Sequence, residues 1–155
     1  MATLESLSQL AQLFPSFATQ ALDFLVDMFN DEIEEIRLKA IQCLTQISIE
    51  HIVLREDQID IILAVLEDFS IDIREALHAM LSNCRLSSKT ALKTCVVNLL
   101  DNLKRYPQDK NSIWNCFKKL GSNHPHLTLA LVPDLLGIHP FLDLPETSLE
   151  DNGCE

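Results

Sequence analysis

Apolar residues recur every three or four positions along most of the chain, a spacing that places them on one face of an α-helix. In residues 3–14 the leucines stand three positions apart, which predicts an amphipathic helix that ends near Pro15. Six more periodic stretches follow as three pairs, and a last stretch opens at Pro125. The pattern therefore predicts about eight helices: one leading helix, three antiparallel pairs and one closing helix.

Two of the predicted helical pairs repeat each other in sequence. The stretch at 25–44 returns at 62–81 with a shift of 37 positions. The aligned residues are Asp31 with Asp68, Ile36 with Ile73, Arg37 with Arg74 and Leu44 with Leu81. A period of this size is typical of stacked helical pairs that bury each other's apolar faces. We therefore predict an all-α solenoid over residues 1–138, with a closed helical bundle as the alternative.

The repeated aspartates and arginines are the first candidate functional residues. Asp31 and Asp68 precede the second helix of their pairs, where a carboxylate can cap free backbone N–H groups and complement the helix dipole. Arg37 and Arg74 follow about one and a half turns later, where a guanidinium can reach an acidic turn of the neighbouring repeat. We predict a structural ladder between repeats, with ligand binding as the alternative.

The distribution of charge marks a second candidate surface. The net charge is −11, which argues against general binding to nucleic acids or anionic membranes. Residues 85–119 nevertheless contain eight basic and two acidic residues. The basic residues that we single out for contact with a partner or with RNA are Arg85, Lys89, Lys93, Lys104, Arg105, Lys118 and Lys119. Interleaved aromatic residues can stack on RNA bases, but we expect Trp114 in the core and favour a protein partner with an acidic surface.

The sequence contains no pattern typical of catalysis or of metal binding. The five cysteines form no CxxC pair, and no GxSxG elbow or glycine-rich phosphate loop occurs. We predict a non-enzymatic protein without cofactors, whose free cysteines act as small apolar residues in a reducing compartment. No apolar run reaches the roughly 18 residues of a membrane span. Residues 139–155, with two prolines and five acidic residues, are predicted to be a disordered acidic tail.

The repeated turn, followed by Ile-Arg and an apolar helix, resembles the HEAT repeat, a helical hairpin used in scaffolds and adaptors. Three longer strings resemble the Integrator complex subunit 4 family more specifically. These strings are LDFLVDMFNDEIEEIRLKAI, LREDQIDIILAVLEDFSIDIREALH and RYPQDKNSIWNCFKKLGSNHPHLTLALVPDLL. The resemblance covers about residues 4–145 and implies a HEAT-type α-solenoid.

This resemblance implies a non-catalytic nuclear scaffold. The family supports the RNA endonuclease module of the Integrator complex in small nuclear RNA 3′-end processing, so the implied partners are the subunits of that module. Because the family protein is much larger, we interpret the chain as a truncated paralogue or a fragment. The alternatives are an RNA-contacting helical module that uses residues 85–119, and a truncated paralogue without retained activity.

Overall fold

The computed structural model describes residues 2–48 and 53–136 of the chain. Within these ranges it contains eight α-helices. They are α1 (Ala2–Leu13), α2 (Pro15–Asp27), α3 (Glu34–Ser48), α4 (Glu56–Ala64), α5 (Ile71–Asn83), α6 (Lys89–Arg105), α7 (Lys110–Asn123) and α8 (Pro125–Leu136). Single 3-10 turns follow α2 and α4 and precede α7, at Met28–Asn30, Val65–Glu67 and Pro107–Asp109. The predicted acidic tail, residues 139–155, lies outside the described residues.

The helices form two layers. Helices α1, α3, α5 and α7 pack side by side in one layer, and α2, α4, α6 and α8 pack in the other. Each substantial helix–helix contact in the described chain joins elements no more than two helices apart. This stacking is that of a solenoid, so the prediction of a leading helix, three pairs and a closing helix is confirmed.

The core runs between the two layers without interruption. Its fully buried side chains include Leu25, Ile41, Leu44, Ile62, Ile73, Leu77, Leu81, Leu99 and Ile113. These are the positions that recur every three or four residues in the sequence. Removing one such side chain from water contributes about 1.5–3 kcal/mol. No single helix can bury its own stripe, and the stack is therefore stable only as a series of neighbours.

Residue types that are typical of helix ends mark some of the observed helix ends and not others. Phe14 has extended backbone angles (φ −129°, ψ 99°) and Pro15 opens α2, so the proline separates α1 from α2 as predicted. Ser88 caps α6 by accepting a hydrogen bond from the Ala91 N–H at 3.1 Å. The residue types at Ser16 and Gly121 predict an N-cap of α2 and the end of α7. Both predictions are wrong, because Ser16 lies inside the first turn of α2 and Gly121 lies inside α7.

The linkers between helical pairs form contacts that helical periodicity does not predict. Strand β1 (Val53–Leu54) pairs in parallel with strand β2 (Arg85–Leu86). The backbone N–H of Leu86 then donates to Nε2 of His124 at 2.9 Å. His124 is buried, and its hydrogen bond ties the start of α8 to the preceding linker. Successive linkers are thus joined along one edge of the stack.

Candidate interaction surfaces and the inter-repeat contacts

Arg37 on α3 spans two successive repeats. Its Nε donates to Oδ2 of Asp68 at 3.0 Å. Its Nη1 donates to the carbonyl oxygens of Asp31 at 2.9 Å and Glu32 at 3.2 Å. One guanidinium therefore joins the turn before α3 to the turn before α5. The Arg37 and Asp68 side chains keep 18% and 13% of their exposure, so water still screens this ion pair.

Arg74 on α5 repeats the arrangement one step further along and at greater depth. Its Nε and Nη2 donate to the two carboxylate oxygens of Asp109 at 2.6 and 3.1 Å. Its Nη1 donates to the carbonyl oxygens of Asp68 at 2.9 Å and Phe69 at 3.0 Å. The guanidinium lies 3.8 Å from the centre of the Tyr106 ring, which adds a cation–π contact. The two charged side chains are 2% and 0% exposed.

Asp31 and Asp68 hold the turns that lead into α3 and α5. Their Oδ1 atoms accept the backbone N–H two residues ahead, from Ile33 at 2.8 Å and Ser70 at 2.9 Å. These N–H groups belong to the turn itself, whereas capping of the first helical turn was expected. Asp68 therefore orders its own turn through one oxygen and receives Arg37 through the other.

A buried polar network continues from Arg74 into the third helical pair. His78 Nε2 lies 3.0 Å from Oδ1 of Asn102, and His78 Nδ1 lies 2.7 Å from the Ser112 hydroxyl. Asn102 Nδ2 donates to the Leu66 carbonyl at 2.8 Å, which turns its Oδ1 toward the histidine. Neutral His78 therefore carries its proton on Nε2 and accepts from Ser112. Burial lowers the pKa of His78 and favours this neutral form.

Asp109 and His78 were not among the residues that the sequence singled out. Asp109 follows Asp68 by 41 positions instead of 37, and tryptophan instead of arginine follows Ile113. A search with the fixed 37-residue shift therefore does not find the contact between Arg74 and Asp109. A usable signal was the placement of an aspartate before the second helix of each pair. His78 carried no local signal, because its partners come from two other helices.

The seven basic candidate residues do not form one cluster. Arg85 lies in β2, and Lys89 and Lys93 lie in the first two turns of α6. Lys104 and Arg105 lie at the other end of α6, about 24 Å from Lys89 along the helix axis. Lys118 and Lys119 are exposed on the second half of α7. Three of the seven pair with carboxylates: Lys89 with Asp134 at 3.0 Å, Lys104 with Asp101 at 2.9 Å and Arg105 with Glu67 at 2.9 Å. Contact of this set with RNA or with a partner stays a prediction.

An apolar groove of about 740 Å³ opens between α6, α7 and α8, and we call it the α6–α8 groove. Its apolar lining includes Leu100, Leu103, Trp114, Phe117, Leu131 and Leu135, and Lys104 and Lys110 also line it. The Trp114 ring meets Phe117 edge to face at 5.7 Å between ring centres. Trp114 is 52% exposed, so its predicted place in the core was wrong. Ile113 takes the buried position, and the next residue is turned by about 100° around the helix.

The described residues hold no arrangement typical of a metal centre or an activated nucleophile. No group of three or more histidine, cysteine, aspartate or glutamate side chains could bind a metal within residues 2–48 and 53–136. Burial raises the pKa of Cys95 to about 12 and that of Cys116 to about 11. Such thiols are protonated at neutral pH and react slowly. None of the described helices is both long and apolar enough to cross a bilayer.

The two-layer stack of helical pairs is the architecture of HEAT-repeat proteins. A family model for the HEAT repeat matches residues 21–51, which include the second half of α2 and all of α3.

Longer relatives identify the particular protein that this chain resembles. It is 56% identical over 97% of its length to Integrator complex subunit 4 of Homo sapiens and 55% identical over 97% to that of Drosophila melanogaster. It is 39% identical over 96% to the Integrator complex subunit 4 homolog of Dictyostelium discoideum. The chain spans 16%, 15% and 12% of these relatives. The chain is therefore similar, along nearly its whole length, to one segment of Integrator complex subunit 4.

Proposed function

We propose that this chain is a non-catalytic HEAT-repeat scaffold that binds protein subunits of the Integrator complex. The observation that carries the proposal is the identity of 55–56% to Integrator complex subunit 4 over 97% of the chain. The stacked architecture supports it, because repeat arrays offer extended surfaces on which partners dock. The polar contacts described above also have structural partners within the fold, and this favours a scaffolding role over catalysis.

We infer further that the partners are subunits of the endonuclease module and that the setting is small nuclear RNA 3′-end processing in the nucleus. This finer inference rests on the resemblance of the sequence to the Integrator complex subunit 4 family. The third helical pair is a candidate docking surface, since the basic segment 85–119 contrasts with the acidic remainder of the chain. Charge of one sign steers a partner of the opposite sign.

Direct contact with RNA is the alternative, and the geometry gives it less support. Three of the seven candidate basic side chains are paired with carboxylates, and the set is spread over β2, the two ends of α6 and the second half of α7. Binding to phosphates would also depend steeply on salt, because each neutralised phosphate releases counterions.

The test is affinity purification of the tagged chain from nuclear extract, at roughly 50 mM and roughly 200 mM salt, with and without ribonuclease. We expect Integrator subunits to be recovered at both salt concentrations and after ribonuclease. Recovery that is lost in high salt and after ribonuclease would favour the RNA-contacting alternative. If a chain with a helical circular dichroism spectrum and a cooperative melt recovers no subunit, the scaffold proposal is wrong and the chain has not retained the family's activity.

A further inference from the structure

We propose that this chain associates with a second copy of itself, by insertion of the exposed Phe69 side chain of one copy into the α6–α8 groove of the other. This inference goes beyond the scaffold function and does not depend on it. It rests on the exposure and the fixed backbone of the turn that carries Phe69, on the opposite charges of the two surfaces, and on their position at one edge of the stack.

Phe69 belongs to a small apolar surface at the turns before α3 and α5. The Ser70 hydroxyl donates to a Glu34 carboxylate oxygen at 2.6 Å, so these two turns lie side by side. The Phe69 side chain is 95% exposed, and Ile33 and Ile71 are each about half exposed. We call Ile33, Phe69 and Ile71 the Phe69 surface. A cluster of exposed apolar side chains among polar residues is typical of a site of protein contact.

The backbone at Phe69 is held in place by the contacts between repeats. Nη1 of Arg74 donates to the carbonyl oxygens of Asp68 and Phe69 at 2.9 and 3.0 Å, and Asp68 Oδ1 accepts the Ser70 N–H at 2.9 Å. Insertion of the Phe69 ring therefore requires little ordering of the turn, which favours binding. Packing inside the chain does not explain the phenylalanine, because Glu32 occupies the same position one 37-residue period earlier.

The Phe69 surface and the α6–α8 groove carry opposite charge. Residues 31–35 and 67–72 contain seven acidic residues and no basic one. Two of these seven form ion pairs within the part of the chain that the structure describes. The groove carries Lys104 and Lys110 on its lining, and Lys104 makes an exposed pair with Asp101. An apolar surface with carboxylates therefore matches an apolar groove with lysines, which combines burial with charge complementarity.

Both surfaces lie at the same edge of the stack. Phe69 lies in the turn before α5, and Pro107, which lines the groove, lies in the turn before α7. The Tyr106 hydroxyl donates to the Glu67 carbonyl at 3.1 Å, so these two turns are neighbours. Phe69 does not fill the groove of its own chain, because it is almost fully exposed and does not line that groove. The groove of about 740 Å³ has the size of a small-ligand pocket and therefore has room for a phenylalanine ring.

Sedimentation velocity and tryptophan emission of the full chain test the proposal together. Trp114 is the single tryptophan, lines the groove and is half exposed. From roughly 1 µM to roughly 300 µM, a range suited to a small and weak contact, we expect the average mass to rise and the Trp114 emission to shift to the blue. Phe69→Asp should remove both changes. Leu129→Asp is the matched control, since Leu129 is exposed on α8 and does not line the groove, and we expect it to associate as the natural chain does.

Two charge-reversed variants test which surfaces meet. Glu32→Lys with Asp72→Lys makes the surroundings of the Phe69 surface basic, and Lys104→Glu with Lys110→Glu makes the groove acidic. All four side chains are exposed, so we expect both variants to keep a helical circular dichroism spectrum. Each variant alone should lose the association, because like charges then face each other, and an equimolar mixture of the two should recover it.

Several results would overturn the proposal. One is a constant monomer mass of the natural chain over the whole range. Another is a mass that rises without any shift of the Trp114 emission, because the copies would then meet outside the groove. The proposal is also overturned if Phe69→Asp associates like the natural chain, if Leu129→Asp loses association as fully as Phe69→Asp, or if the mixture of charge-reversed variants stays monomeric.

Discussion

At the scale of single residues, Arg37 and Arg74 make the same kinds of hydrogen bond but differ in how deeply they are buried. Arg37 and Arg74 both donate to carbonyl oxygens of their own turn and to an aspartate of the next repeat. Arg74 and Asp109 are almost fully buried, whereas Arg37 and Asp68 are partly exposed. A buried ion pair that loses one partner leaves an uncompensated charge, while a screened pair contributes little. The two contacts should therefore contribute very differently to stability.

The first prediction concerns this difference. Arg74→Ala should lower the free energy of unfolding by about 3–5 kcal/mol, because Asp109 is left charged and buried. Arg37→Ala should cost only about 1 kcal/mol. Chemical denaturation would measure both losses, and a double-mutant cycle with Asp109→Asn would isolate the pair. Equal losses for the two arginines, or an unchanged melt of Arg74→Ala, would contradict the structural ladder.

The second prediction concerns pH and His78. Burial holds the pKa of His78 below its usual value, with Asn102, Asp109, Arg74 and Glu75 also acting on the ring. Because the unfolded histidine binds a proton more readily than the folded one, this contribution to stability is complete above about pH 6.5 and is lost as pH falls below it. The difference in melting temperature between pH 7 and pH 5.5 should therefore be smaller in His78→Gln than in the natural chain. The same difference in both proteins would mean that His78 does not report on pH.

The sequence predicted only some of the residues that form these polar contacts between repeats. Arg37, Asp68 and Arg74 stood out because they repeat with a fixed shift. Asp109 did not stand out, because the third helical pair has a different length from the first two. Asn102 did not stand out, because a hydrogen bond between helices that are distant in sequence produces no repeated residue pattern. The burial of Trp114 also could not be predicted from its neighbours, because Ile113 and Trp114 both stand at helical spacing from Phe117, so either residue could take the buried position.

At the scale of elements, the spacing of apolar residues predicts the helices, but it predicts their first and last residues less well. Pro15 separates α1 from α2 as expected, because a proline pushes the residue before it out of the helical region. Ser88 caps α6 because its hydroxyl accepts a free backbone N–H of the first turn. Gly121 did not end α7, since a glycine inside a helix costs only about 1 kcal/mol and packing of the buried stripe outweighs it. The pairing of β1 with β2 arises from repeat stacking, which a single linker does not encode.

The third prediction tests this explanation of Gly121. A Cβ atom at this position would meet no other atom within 4 Å. Gly121→Ala should therefore raise the free energy of unfolding by about 0.5–1 kcal/mol, because alanine loses less conformational freedom in a helix. Urea denaturation at constant pH would detect the change. A loss of stability would mean that this side of α7 is already covered tightly.

The fourth prediction concerns the buried thiols. Burial keeps Cys84, Cys95 and Cys116 protonated at neutral pH, so alkylation of each should wait for unfolding. Mass spectrometry of peptides after timed iodoacetamide treatment would give a rate for each cysteine. The three rates should rise together in denaturant. Fast modification of any one of them in the folded chain would contradict its place in the core.

At the scale of the whole molecule, the chain is a series of stacked repeats whose charge changes along its length. Residues 85–119 are basic, and the rest of the chain is strongly acidic. The solenoid could be predicted from the 37-residue period, because the same residues return in the same roles. The partner could not be predicted from residue chemistry, since scaffold surfaces carry no catalytic pattern, and that proposal depends on the homology to Integrator complex subunit 4.

The most direct test of the scaffold account is affinity purification of the folded, tagged chain from nuclear extract, beside an Ile73→Asp control. Ile73 is fully buried, so this substitution places a charge in the core and should unfold the array. The account predicts that Integrator subunits are recovered with the natural sequence and not with the control. Recovery with neither, from a natural chain that melts cooperatively, would contradict the proposed scaffold function.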